Sequence, residues 1–149
     1  MAELENMTYR SFITDSGRVR LQNGSAQVWN RRAGQPISVT LTQYRLIGAF
    51  ADKNGGAAVI LRTAPGGPAT FFDLAVVVRK DTMARNIALA SLGDRVRIRA
   101  LSLENGHIIL QMTTHAPKDQ MCCPTRDVRN TYQIRGEKLL LLKSEPDER

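Results

Sequence analysis

The sequence predicts an all-β or β-rich α+β fold, an antiparallel sandwich or strongly curled sheet of about nine or ten short strands with at most one short helix. Three observations carry that expectation. Apolar residues come in short runs that either alternate with polar ones or are continuous over a few positions, as strands with one or two buried faces require. Turn residues separate these runs at spacings of about 8 to 12 residues. Two Asn-Gly pairs, Asn23-Gly24 and Asn105-Gly106, sit between runs, and both positions of such a pair tolerate the positive φ of a tight hairpin turn.

In chain order, Met7 to Ile13 reads as extended, and Asp15-Ser16-Gly17 as a turn. Arg18-Val19-Arg20-Leu21 and Ala26-Gln27-Val28-Trp29 flank the first Asn-Gly pair as the arms of a hairpin. Asn30 to Pro36 is a loop punctuated by Gly34 and Pro36. Ile37 to Leu41 is a β-branched alternating strand with Ile37, Val39 and Leu41 inward. Gln43 to Phe50 continues extended, and Asp52 to Gly56 is a polar turn. Ala57 to Arg62 and Leu74 to Val78 are apolar runs of the kind found in central strands buried on both faces. Pro65-Gly66-Gly67-Pro68 between them is a loop, because proline cannot donate to a ladder.

Asp81 to Leu92 is ambiguous. Asp81 is a suitable cap for a helix with Met83, Ile87 and Ala90 or Ser91 on one face, yet Ile87 to Leu92 also fits a short strand. Leu92-Gly93-Asp94-Arg95 is a turn. Val96 to Leu103, with its early part strictly alternating, and His107 to Met112 flank the second Asn-Gly pair. Val128 to Ile134 and Lys138 to Leu142 form a closing hairpin about Arg135-Gly136-Glu137. Residues 143–149 are expected to be a charged, frayed tail beyond an ordered body of 7–142, the whole forming one domain over 1–149.

The apolar fraction of 42% and charged fraction of 23% are those of an ordinary globular chain. With only 5% aromatic residues, the core must rest on Val, Ile, Leu and Ala. No apolar run approaches the roughly 18 residues of a membrane-spanning helix. Met1 to Arg10 is polar and shows no signal-peptide core, which fits a cytoplasmic protein or a mature secreted domain. The formal net charge of +7 permits attraction to nucleic acid, anionic lipid or an acidic partner.

Chemistry-bearing residues concentrate in His115 to Thr125, which holds both cysteines and one of the two histidines. Cys122 and Cys123 are adjacent, so three states stay open: two buried free thiols, a vicinal disulfide in an eight-membered ring, or an intermolecular or ligand role. His115, Asp119, Cys122 and Cys123 are candidate binding residues of types that suit zinc or copper, though the spacing matches no standard finger. The same residues would be needed for a Cys/His nucleophilic pair with Asp119 as orienter, again without a recognised signature. His107, after the second hairpin turn, reads as an exposed or cross-strand residue. Arg95, Arg97 and Arg99 alternate with Val96, Ile98 and Ala100 and form a second candidate binding face, a cationic stripe able to hold phosphates, with Arg79 and Arg85 near in sequence. No aromatic interrupts Arg79 to Gly106, so base stacking is not expected there. Gly55-Gly56 and Gly66-Gly67 precede strands rather than helices, unlike nucleotide-binding glycine loops. No cofactor, resident metal or catalytic residue is expected.

A set of strings resembles a family of small uncharacterised bacterial secreted or lipid-anchored domains that includes small mycobacterial lipoproteins. The strings are Leu92-Gly93-Asp94-Arg95-Val96, Leu101-Ser102-Leu103, Asn105-Gly106, His115-Ala116-Pro117-Lys118-Asp119, Met121-Cys122-Cys123-Pro124-Thr125, Thr131-Tyr132 and Lys138-Leu139. The Cys-Cys-Pro-Thr block is the specific part. The resemblance implies an exported β-rich module with no assigned enzymatic activity. Members often carry an Asp-x-Asn-Gly-Asp-Gly loop where this chain has Asp52 to Gly56; with only Asp52 and Asn54 retained, too few oxygens remain for calcium.

The expected function is a non-enzymatic cell-envelope or secreted binding module, its partner an unknown envelope protein or ligand. The alternative is a basic nucleic-acid or polyanion binder using Arg95, Arg97 and Arg99. A Cys-dependent hydrolase or redox protein is a third, weaker reading.

Overall fold

A computed structural model of the chain describes residues 2–48, 50 and 55–147. The two continuous apolar runs sit at its centre. Strands β5 (Gly56–Ala64) and β6 (Phe71–Lys80) pair antiparallel in the middle of a five-stranded sheet. That sheet continues with β3 (Ser25–Asn30) and β4 (Gln35–Ile47) on one side and β7 (Met83–Asp94) on the other, in the order β3-β4-β5-β6-β7. Successive side chains of a strand point to opposite faces, so these runs feed two cores. Ala58, Ile60, Leu74 and Val76 face one core, and Ala57, Val59, Leu61, Ala75 and Val77 face the other.

The first core is closed by a four-stranded sheet of β8 (Arg97–Glu104), β9 (His107–Thr114), β10 (Arg126–Arg135) and β11 (Lys138–Pro146), a meander in the order β11-β10-β9-β8. It contributes Leu101, Ile108, Leu110, Met112, Val128 and Tyr132. The second core is closed by a thin N-terminal layer: α1 (Ala2–Glu5) and the pair β1 (Thr8–Arg10) and β2 (Arg18–Arg20), which supply Leu4, Met7, Tyr9, Val19 and Leu21. The result is three layers with the five-stranded sheet buried between them. All strand pairing is antiparallel within sheets of two, five and four strands.

Both Asn-Gly pairs adopt the tight turn their sequence favours, with φ of 53° and 88° at Asn23 and Gly24, and 50° and 78° at Asn105 and Gly106. The second joins β8 to β9 as a hairpin. The first does not build the expected one: only the bridge Gln22–Ser25 crosses it, and β2 pairs with β1 while β3 pairs with β4 in another sheet. Other boundaries move. Only Thr8–Arg10 of the Met7 to Ile13 segment is strand, and the loop read as Asn30 to Pro36 shrinks because β3 runs through Asn30 and β4 begins at Gln35. The ambiguous stretch is a strand: Asp81 has φ of 57°, the left-handed value of a turn rather than the extended one of a helix cap, and β7 runs from Met83 to Asp94. Among the described residues the one helix is α1, at the other end of the chain. The Asp52 to Asn54 turn, and with it the calcium comparison, lies outside the described residues.

The last segment also departs from expectation. β11 extends to Pro146 rather than Leu142, and Asp147 is tied down, its N–H donating to the Asp127 carbonyl at 3.0 Å. Residues 143 to 147 are therefore an edge strand and its anchor, not a frayed tail.

Candidate functional site

The His115 to Thr125 stretch is the connection between β9 and β10, and its polar groups are spent on one another. Asp119 is the hub. Its carboxylate accepts the Ala116 N–H at 2.8 Å, the Thr125 N–H at 2.8 Å and the Thr125 hydroxyl at 2.8 and 3.0 Å. These bonds, first that from Ala116 and then those from Thr125, hold the Asp119 carboxyl below its usual pKa, with the His115 charge adding to them. The His115 ring contacts the Met121 carbonyl at 2.9 Å through Nε2. Two successive turns complete the loop, with Asp119 N–H donating to Ala116 O at 3.0 Å and Cys123 N–H to Gln120 O at 2.9 Å.

Cys122 and Cys123 are joined to each other in a vicinal disulfide, and both are exposed. Of the three states the sequence left open, this is the one adopted, and burial of the pair is not seen. Among the described residues no three His, Cys, Asp or Glu side chains converge as a metal site would require. The loop thus brings His115 and Asp119 close, but engages both in shaping backbone.

The arginine stripe is broken up by a bulge. Arg97 pairs with Thr113 and Ile98 with Met112, but the next partners are Ala100 and Gln111, so Arg99 is an extra residue without a cross-strand mate. An inserted residue reverses the facing of everything after it. Ile98, Leu101 and Leu103 therefore face the core, and Ala100 does not join Val96 and Ile98 as the alternation predicts. Arg95 lies outside the strand with φ of 55° and pairs with Asp94 at 3.1 Å. Burial works to raise the Asp94 pKa, but the Arg95 and Thr70 hydrogen bonds outweigh it and hold the carboxyl below its usual value. Arg99 pairs with Asp147 at 2.5 Å and approaches Asp127 at 3.7 Å. Arg97 is exposed and has no acidic partner among the described residues. Arg95, Arg97 and Arg99 are thus three different environments, two of them neutralised. Arg79 is committed as well: it bonds Glu3, the Phe50 and Thr82 carbonyls, and lies over the Phe50 ring at 4.6 Å. His107 faces Glu104 across the end of the β8–β9 hairpin.

A second group of arginines, none of them in an ion pair among the described residues, gathers elsewhere. An open groove of about 640 Å³ runs between the β1–β2 pair and β7. Arg10 from β1, Arg18 and Arg20 from β2, and Arg85 from β7 line it, all exposed. On β2 the two arginines flank Val19, whose side chain is 3% exposed and points down into the second core; period-two alternation puts both guanidinium groups on the outer face. None of the four makes an ion pair among the described residues. One backbone staple sets the spacing of the two walls. The Asn86 side chain accepts the Arg10 N–H at 2.8 Å and donates to the Val76 and Ala88 carbonyls at 2.9 Å each. Lys80 and Glu137, paired at 2.8 Å, stand at one end of the groove.

Part of this site is visible in sequence as the Arg-Val-Arg of β2. Arg85 is brought to it only by the packing of β1 against β7, more than sixty positions away along the chain. Neither this groove nor the smaller cavity described below is lined by the His115 to Thr125 loop. Compared with known proteins, the chain matches no family model, no characterised protein and no solved structure at a significant level.

Proposed function

We propose that the chain is a non-enzymatic binding module of the cell envelope or secreted space, and that its ligand is an extended polyanion laid along the β1–β2/β7 groove. The observation that carries the ligand class is the set Arg10, Arg18, Arg20 and Arg85. These are four cations on two facing walls, none in an ion pair among the described residues; the groove's acids, Glu3 and Glu137, are paired with Arg79 and Lys80, and Arg10 adds its charge at Glu137. Solvated guanidinium groups at such spacing bind phosphate or sulfate oxygens through charge and paired N–H donors. Tyr9, the aromatic side chain of the groove, is fully buried. Contact would therefore be to the charged backbone of the ligand rather than to stacked bases.

The compartment is supported by the exposed Cys122–Cys123 disulfide, since disulfides persist in oxidising environments and are reduced in the cytosol. The Cys-Cys-Pro-Thr resemblance points the same way. With the cysteines bonded to each other and Asp119 saturated by loop donors, a Cys-dependent hydrolase is the poorer reading.

The test is retention on immobilised heparin with the elution salt as readout. Replacing Arg10, Arg18, Arg20 and Arg85 by Gln should abolish retention near physiological salt. If all four contact phosphates, affinity for a duplex oligonucleotide should fall with salt at a log–log slope of about 3 to 4. A control of equal charge, with the exposed Arg31, Arg32, Arg45 and Arg62 changed to Gln, should elute close to the wild type. Equal losses in both variants would mean diffuse positive charge and no site.

A further inference from the structure

A second cavity, about 240 Å³, opens on the N-terminal-layer side of the five-stranded sheet. Its walls are Phe12 and Ile13 from the β1–β2 loop, Phe71 and Asp73 from β6, and Ser91 from β7. Phe12 is 63% exposed, although the loop that carries it is fixed. Ser11 N–H donates to Gly17 O at 2.9 Å, and the Thr14 hydroxyl to Arg18 O at 3.1 Å. An aromatic side chain is thus held over the cavity by a folded turn.

Asp73 is the unusual member. It stands in the ladder between Leu61 and Ser91, beside a register shift in the β6–β7 pairing, and only 4% of its surface is exposed. Among the described residues it has no ion pair and accepts no hydrogen bond. The carboxyl is pushed up to about 6, and burial alone is the cause. A carboxylate with 4% of its surface exposed, no cation and no donor, and water only through a cavity mouth is costly to ionise. The chain places one at the wall of an apolar cavity, where a group of matching charge can enter.

We propose that this cavity binds a small organic ammonium ion, a protonated amine on a short apolar or aromatic body. The ammonium pairs with Asp73, and the body packs between Phe12, Ile13 and Phe71. The volume lies below the roughly 300–1,000 Å³ of drug-sized pockets, which limits the body to about one ring or a short alkyl chain. Aromatic walls suit such a ligand, because a ring face attracts a cation as well as covering the apolar part. The Ser91 hydroxyl at the rim is an acceptor for a second ammonium N–H. The ligand's charge is opposite to that of the groove's ligand, so this site stands or falls independently of the polyanion reading.

The experiment is titration of the full chain with benzylamine, with benzyl alcohol and benzoate as shape-matched controls, followed by calorimetry and amide chemical shifts. Benzylamine should saturate, shift the amides of Phe12, Asp73 and Ser91, and bind at least about tenfold tighter than benzyl alcohol, the difference a charge-assisted hydrogen bond makes. Asp73→Asn, an isosteric change that removes only the charge, should reduce benzylamine affinity to the level of the alcohol. Phe12→Ala, at an exposed position where folding is not at risk, should weaken both ligands together. Failure of benzylamine to saturate, equal affinity for amine and alcohol, or undiminished binding by Asp73→Asn would each overturn the proposal.

Discussion

Arg99 donates to the Asp147 carboxylate across 2.5 Å, joining the bulge of β8 to the residue that follows β11. The Gln111 amide donates to the same carboxylate oxygen at 3.0 Å, so Asp147 clasps two strands of the four-stranded sheet from its open edge. The two side chains are 20% and 8% exposed, against 52% and 60% for the Lys80–Glu137 pair. Exposed pairs contribute little, because water and salt screen them and ordering two long side chains is costly. Arg99→Gln should therefore lower Tm clearly, and Lys80→Gln scarcely at all.

Acid should undo the same clasp. The Arg99 hydrogen bond, then that from Gln111, hold the Asp147 carboxyl below its usual value. A carboxylate lowered on folding contributes stability that is present above its unfolded pKa and lost as pH falls through the folded one. Asp147→Asn should consequently be less stable than wild type at pH 7, and the gap should close as pH falls below the ordinary carboxylate range. A gap that stays constant with pH in thermal melts would rule out an electrostatic role for Asp147.

Much of the strand pattern was legible because it depends on local chemistry: Asn105-Gly106 specifies the β8–β9 hairpin, and the runs at 57–62 and 74–78 specify buried strands. Asn23-Gly24 specifies its turn but not the pairing of its flanks, because β2 and β3 are claimed by β1 and β4 in separate sheets. What was not legible turns on irregularity. Ile87 and Ala88 are both buried, because the β6–β7 register shifts between Val76 and Val77. That breaks the alternation and lets the segment pass for a helix. The bulge at Arg99 similarly dissolves an arginine stripe that strict alternation would build. The loop at 115–125 advertised itself by residue type, but whether a polar group is spare depends on which donors reach it, as Ala116 and Thr125 reach Asp119. Asp73 gave no signal at all, since a carboxylate within an apolar run reads as an ordinary exposed position until both its faces are known to be covered.

The Tyr9 hydroxyl should add measurably to the attachment of α1, alongside buried Leu4 and the Glu3–Arg79 pair. It is fully buried, and its hydroxyl donates to the Leu4 carbonyl at 2.7 Å. Burial, with the Glu5 charge added, pushes the phenol well above its usual range. Tyr9→Phe keeps the ring in the second core and removes only the donor, leaving the carbonyl without its partner. The expected loss is about 1–2 kcal/mol in urea unfolding. Amide exchange of residues 4 to 7 should accelerate more than that of β5.

The Asp119 network predicts a local effect instead. Asp119→Ala removes the acceptor of the Ala116 and Thr125 amides in a loop outside both cores. Global unfolding should move little. Reduction of Cys122–Cys123 by a small thiol, followed by mass after alkylation, should accelerate on the order of tenfold as the loop opens more often. Unchanged reduction would mean that the two turns hold the loop without the carboxylate.

An unpartnered carboxylate weakens the fold once it ionises. Asp73 rises from an ordinary 3.8 to about 6 on folding, so between those values the folded chain holds a proton that the unfolded chain has released. Stability is therefore highest below about pH 4 as far as this group is concerned, declines as pH rises, and reaches its full penalty above about 6 to 7. The penalty at pH 7 is on the order of 1–3 kcal/mol, reduced from the full shift by solvent reaching the carboxylate through the cavity. Asp73→Asn cannot ionise, so it should be more stable than wild type at pH 7 to 8 by an amount of that order. The advantage should fade as pH is lowered toward 4, and urea midpoints across pH 4 to 8 read it directly. A variant that is stabilised in this way yet loses benzylamine binding would show a charge kept against the interest of the fold and in that of a ligand. No gain at neutral pH would mean that the carboxylate is better solvated through the cavity than its 4% exposure implies.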